Sequence, residues 1–292
     1  MTGLAELLSY EFVRNAAWAG LLGAVLCGVV GTFVVVKRLV FISGGISHAA
    51  FGGLGVCYFL GLDPRLGAAV VAVLAALLLA RSGKGRGRSH DATIGVLWAA
   101  GMAIGFLFMH QTPGYAPNLM TYLFGNILTV GTSDVLLTLG LTLAVVGALW
   151  LWFDELVAVA FDEEFAAVQG VRVRTVNALL LVAIALSVVF LLRLVGIVLV
   201  IALLTIPPVI GLRLAKGFLQ VVLLAVGSGV AMALGGLSLS YAYDLPSGPA
   251  IVLLGAAGLG VIGLAGRWRG RRRAAGGRGL AAAAAGSTVD PP

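Results

Sequence analysis

Polar residues are scarce along this chain and fall in short clusters, and the apolar runs between them have the ~17–25 residues needed to cross a hydrocarbon core. The first run, 17–36, ends at Lys37 and Arg38. Runs at 41–60 and 66–80 follow, parted by Asp63-Pro64-Arg65. A basic, glycine-rich loop at 81–91 precedes a fourth run at 92–109. Beyond a turn-rich loop at 110–118 with two prolines, 119–130 is apolar but too short to span, and it is expected as a re-entrant or interfacial piece. Runs at 134–152, 175–192, 194–212, 218–241 and 250–265 bring the spans to nine. Between the fifth and sixth lies 153–174, the one long acidic stretch.

Composition agrees with the pattern. The 292 residues are 60% hydrophobic and 11% charged, with a mean hydropathy of +1.08, whereas a soluble domain carries about 25% charged residues. The expected fold is an all-α polytopic membrane protein of about nine spans, with residues 1–266 forming the transmembrane domain. Residues 267–292, rich in Arg, Gly and Ala, are expected as a disordered basic tail. The net charge of +7 does not call for nucleic acid, because the basic residues gather at the ends of apolar runs, where they set topology. With Lys37/Arg38, 81–88, Arg172/Arg174, Arg213/Lys216 and the tail on the cytoplasmic side, only Arg14, Arg65 and Arg193 lie outside. The C-terminus is then cytoplasmic and the N-terminus external. Residues 1–15 contain Glu6, Glu11 and Arg14 and do not read as a cleavable signal, so the first span is expected to direct insertion. Cys27 and Cys57 sit inside apolar runs and read as buried thiols.

Three stretches carry candidate chemistry. In 40–61, VFISGGISHAAFGGLGVCYFLG, His48 stands amid Gly44, Gly45, Gly52, Gly53 and Gly55. Gly44, His48 and Gly52 share one helical stripe, which either opens space on the histidine's face for a wet path or allows close helix packing. Gly44, Ser47 and Gly52 are the expected lining of such a path. In 161–170, FDEEFAAVQG, the acids Asp162, Glu163 and Glu164 fit a helix first turn, Phe161, Phe165 and Val168 make one apolar face, and Gly170 fits a helix stop. An acidic helix suits an anionic leaflet poorly, so its apolar face is expected to dock on a protein partner. In 239–248, LSYAYDLPSG, Asp244 is either an ordinary turn former or a carboxylate offered to a cation. Imidazole and carboxylate together suit first-row divalent metals. The chain has no GxxxxGK[ST] loop, no HExxH and no Ser/His/Asp set, so it is read as a non-enzyme that cannot itself hydrolyse ATP.

The segments ISHA at 46–49, DATIG at 91–95, YLFGNIL at 122–128, FDEEFAAVQG, LLTIP at 203–207 and LSYAYDLPSG together resemble the permease family of metal-ion ABC importers for zinc, manganese and iron. The resemblance runs in order over nearly the whole chain except the tail. It implies a homodimeric pore in the lipid of a bacterial or archaeal inner membrane. It further implies two copies of a cytoplasmic ATPase subunit that binds the ATP, and an extracytoplasmic solute-binding protein that delivers the metal. On this resemblance 161–170 is the helix that couples to the ATPase, His48 lies on the metal path, and Asp244 belongs to the LSYxxDLPSG-like motif. No cofactor is held permanently; the divalent ion is the substrate, moved by alternating access. One position departs from the family pattern: Gly44 stands where an aspartate is common, which removes a hard oxygen ligand and leaves zinc, manganese and iron all open. The rivals are a siderophore- or cobalamin-type permease, which would not need His48, and a secondary transporter, for which 161–170 would have no partner.

Overall fold

The structure is a computed structural model and describes residues 10–81, 90–112, 125 and 127–285. Its helices are α1 (Glu11–Val36), α2 (Val40–Phe59), α3 (Pro64–Arg81), α4 (His90–Gln111), α5 (Thr132–Leu151), α6 (Phe153–Phe161), α7 (Glu163–Val168), α8 (Val173–Leu214), α9 (Phe218–Tyr243) and α10 (Ser247–Ala285). Among the described residues nine segments are long and apolar enough to cross a bilayer, with α8 supplying two, Val173–Leu192 and Leu194–Leu214.

Two faces of the bundle can be recognised from polar contacts. On one, Lys37 at the end of α1 is ion-paired with Glu163 of α7 at 2.9 Å. Phe33, Phe153, Phe161 and Phe218 meet there as a chain of ring contacts with centroids 5.0–6.4 Å apart. On the opposite face Arg65 of α3 pairs with Asp134 of α5 at 3.1 Å. There too the Asn15 amide donates to Val130 O, and Thr132 donates to Glu11. Both ends of α8 belong to the first face, because Asn177 bonds Glu163 and Leu214 leads within four residues to Phe218. A straight 42-residue helix would run ~63 Å, so the chain has to turn back within α8. It does so at Gly196, whose φ of 77° and ψ of 161° are open essentially to glycine alone.

α1 is the buried centre and packs on both α8 and α9. Small residues let the backbones approach where no hydrophobic force separates protein from lipid. A Cβ on Gly31 would meet Leu204 O at 2.5 Å, and one on Gly28 would meet Val226 backbone at 2.8 Å. α2 lies between α3 and α4, its Gly53 against Gly67 and its Gly52 and Gly55 against Gly101 and Gly105.

The backbone of α10 runs from Ser247 to Ala285, beyond residue 266, where the transmembrane domain was expected to end. Most of the 119–130 piece lies outside the described residues; of it, Ile127–Thr129 forms one 3-10 turn, with Ile127 buried against Gly20 of α1. α4 ends and α5 begins at the same face, so the parity of the nine spans does not depend on that piece.

Candidate substrate path and coupling segment

His48 sits in the third turn of α2 with its side chain buried. Its ring stacks on Trp98 of α4 with centroids 4.1 Å apart and planes 18° from parallel. Nδ1 has no hydrogen-bond partner among the described residues, which is uncommon for a buried polar atom. Neighbouring atoms line the stripe on the His48 face. A Cβ on Gly44 would touch Trp98 Cζ3 at 3.4 Å, and one on Gly52 would lie 3.0 Å from Gly101 O. The Ser47 hydroxyl donates to Ser43 O at 2.7 Å within its own helix. Gly52 is therefore a packing glycine in this state, Gly44 makes room for an indole, and the immediate surroundings of His48 are closed.

A cavity of about 280 Å³ opens one turn further along α2, towards the Arg65 face. Ala50, Phe51, Leu54 and Tyr58 of α2 line it together with Arg65, Asp134 and Thr138. Its wall is largely apolar, and the Arg65–Asp134 ion pair supplies the charge.

Asp244 is the C-cap of α9 in the left-handed region, φ 52° and ψ 44°. Aspartate is among the few residues that tolerate this. Its side chain is exposed and makes no ion pair among the described residues. The Ser240 hydroxyl donates to Leu245 O at 2.6 Å and closes the turn into α10. α9 begins at the Phe161 face, so Asp244 lies at the opposite face, whereas His48 lies within α2, and α2 and α9 share no substantial interface. His48 and Asp244 therefore stand apart here, and no group of three or more His, Cys, Asp or Glu suited to a metal occurs among the described residues.

The 161–170 segment is not one helix, as its periodicity suggested. Asp162 is extended, φ −149° and ψ 104°, and breaks it. Phe161 closes α6, and Asp162 caps α7, its carboxylate accepting from the N–H groups of Glu164 and Phe165 at 3.0 Å. Asp162 is thus the N-cap rather than a first-turn acid, a placement that follows from its short side chain. Glu163 is drawn inward to Lys37 and accepts from Asn177 Nδ2 at 3.4 Å; Glu164 is exposed. At the other end Gly170 takes φ 87°, with Gly170 N–H donating to Ala167 O and Val171 N–H to Ala166 O, both at 3.0 Å, the Schellman pattern. Ala166 faces the bundle, fully buried, while Phe165 and Val168 are 59% and 86% exposed and Phe161 70%. A helix capped at both ends and anchored on one side thus presents bare apolar side chains on the other.

Trp98, Lys37 and the Arg65–Asp134 pair were missed by sequence reasoning. Tryptophan in an apolar run reads as lipid-facing core. A lysine or arginine at the end of a span reads as a topology signal. Only the spatial partner shows otherwise.

Among the described residues, nine apolar spans in an all-helical bundle, with a buried histidine and a capped helix exposed on one face, define a multi-pass membrane protein. The chain belongs to the ABC 3 transport family, whose model matches residues 9–265. It is 39% identical over 251 residues to an uncharacterized membrane protein of Synechocystis sp., covering 86% of this chain and 89% of that one. It is 32% identical over 249 residues to the manganese transport system membrane protein MntC of Halalkalibacterium halodurans, covering 85% of each. Among solved structures it is similar to PsaBC from Streptococcus pneumoniae in complex with Fab, with a TM-score of 0.80 and 28% identity, covering 89% of this chain and 93% of that one.

Proposed function

We propose that the chain is the membrane subunit of an importer that carries a divalent transition-metal ion into the cytoplasm, driven by ATP hydrolysis on partner subunits. The observation that carries this reading is the exposed apolar side of α7, which is capped, held against the bundle and uncovered. A partner ATPase in two copies, one per permease of a homodimer, is the occupant proposed for that side, and the face bearing it is cytoplasmic. A cytoplasmic C-terminus is proposed with it, supported by α10 running antiparallel to α9. An extracytoplasmic solute-binding protein would deliver the ion to the Arg65 face. The likeness to a manganese transport protein supports a metal as cargo. The unpartnered Nδ1 of His48 supports imidazole as a donor on the path; Asp244 would act at the outer mouth, separately from His48. With glycine at 44 and no acid cluster beside His48 among the described residues, the donor chemistry suits zinc or iron at least as well as manganese.

The test is ATP hydrolysis and metal content of the purified complex with zinc, manganese and iron, for wild type, His48→Ala and Phe165→Asp. One metal should stimulate the wild type. His48→Ala should lose that response with the ATPase still bound, and Phe165→Asp should lose the ATPase, because docking would bury an unpaired carboxylate. A wild-type complex stimulated by a metal chelate and by no free ion would refute the reading.

A further inference from the structure

α1 and α2 meet in a turn of three residues, Lys37, Arg38 and Leu39. The turn is tight: Lys37 N–H donates to Phe33 O at 2.9 Å, Leu39 N–H to Val34 O at 2.7 Å, and Arg38 is held at φ 57°, uncommon for a residue with a Cβ. The Lys37 side chain is only 9% exposed and runs from this turn to the coupling segment. Its ammonium donates to Val159 O of α6 at 3.1 Å and to Glu163 Oε1 of α7 at 2.9 Å. One buried cation thus joins the last turn of α6, the first turn of α7 and the turn from which the His48 helix starts.

Stability alone is a weak reason for such a pair. Desolvation offsets most of its Coulomb attraction, and an apolar pair of similar volume holds two elements together as well or better. What an ion pair with a second bond to a carbonyl supplies is a fixed distance and direction. The remaining contacts of α6 with the spans are apolar, through Leu156 and Val159 in the core and through Phe153 and Phe161, whose rings meet Phe33 and Phe218, and none of them fixes a direction as a charged hydrogen bond does. α2 in turn packs backbone to backbone on α3 and α4 through Gly53, Gly52 and Gly55, so a displacement of its first turn moves those three helices together.

We infer that Lys37 and Glu163 form the link that carries displacement of the ATPase-docking segment to the α1–α2 turn and so to the helix that bears His48. Lys37 is a positioning residue in this account and touches no substrate. The inference rests on the coupling function proposed above.

The test uses the complete complex in proteoliposomes, with ATP hydrolysis and metal uptake measured on the same vesicles. The main variant is K37M/E163M, which replaces the pair by apolar side chains; Lys37→Met and Lys37→Arg accompany it. In the double variant, thermal stability and the amount of bound ATPase should stay at the wild-type level, while metal moved per ATP falls by about tenfold or more, in the usual range of coupling between distant sites. Lys37→Arg, which keeps the charge, should recover most of the ratio. An unchanged ratio in K37M/E163M overturns the inference and leaves the proposed function standing. Loss of stability or of bound ATPase in parallel with the ratio also overturns it, since the pair would then be holding the fold. If the wild-type complex moves no metal, both readings fall.

Discussion

Gly101→Ala should separate the His48 helix from its neighbour. A Cβ at Gly101 would stand 2.5 Å from the His48 carbonyl oxygen and 2.6 Å from Ala49 Cα. Comfortable contact between carbons is ~3.5–4.0 Å, so α2 and α4 must part by about 1 Å, and neither obstructing atom is on a side chain that could swing aside. Overpacking of this kind costs ~1–3 kcal/mol, and rigid backbone puts it at the upper end. Alanine recovers ~1 kcal/mol of helix propensity over glycine, which leaves a net loss of roughly 2 kcal/mol. Gly95→Ala, in the same helix, has nothing within 4 Å of its new Cβ and should gain ~1 kcal/mol from the same term. The two identical substitutions therefore differ by ~3 kcal/mol, or about 6–12 °C at ~2–4 °C per kcal/mol. Thermal unfolding of the two detergent-purified variants, followed by tryptophan emission, measures this. Midpoints that coincide would refute the argument that the glycines of α2 and α4 serve backbone contact.

Gly196→Ala should cost ~1–3 kcal/mol, because only glycine holds φ 77° with ψ 161°, and the variant should lose thermal stability while Gly140→Ala, an open helical position, does not. Asp162→Ala removes the carboxylate that caps α7 and should cost about 1 kcal/mol locally, read as faster amide exchange at residues 164–168 with the spans unchanged. Trp98→Ala uncovers His48, so diethylpyrocarbonate labelling of His48, followed by mass spectrometry, should rise several-fold; unchanged labelling would show that the indole is no lid.

The spans were legible because each is a run of apolar residues bounded by charge, and a bilayer fixes how long such a run must be. Ends were less so. The two spans within α8 divide at Arg193 as expected, but the backbone turns at Gly196, after the buried pair Leu194 and Val195. Charge marks where a span could end, but the turn goes where a residue can take the required φ and ψ. The 161–170 segment shows the same division. Its acids and its apolar face were readable from spacing, and the break at Asp162 was not, because a capping aspartate and a first-turn aspartate look alike until the backbone is seen.

The two candidate path residues separate on how much of each the local structure explains. Asp244 has a local role whether or not it also meets substrate: it holds a left-handed cap, and Ser240 and Leu245 complete the turn between α9 and α10. Most glycines beside His48 are likewise accounted for, since at Gly52, Gly53 and Gly55 other backbones, and at Gly45 the Ile94 side chain, occupy the space a Cβ would take, whereas Gly44 only comes into contact with the Trp98 ring. A sequence reveals which face of a helix lacks side chains but not what fills it, and that is why this stripe was compatible with both an open path and close helix packing. His48 is the exception. It is buried against an indole, its Nδ1 bonds nothing among the described residues, and packing alone would be served at lower cost by an apolar residue. Trp98 covers it on one side, and the Ala50–Tyr58 cavity begins one turn away. At about 100° per residue the cavity-lining side of α2 lies roughly 100° around the helix from His48, so in this state the imidazole faces Trp98 and not the cavity.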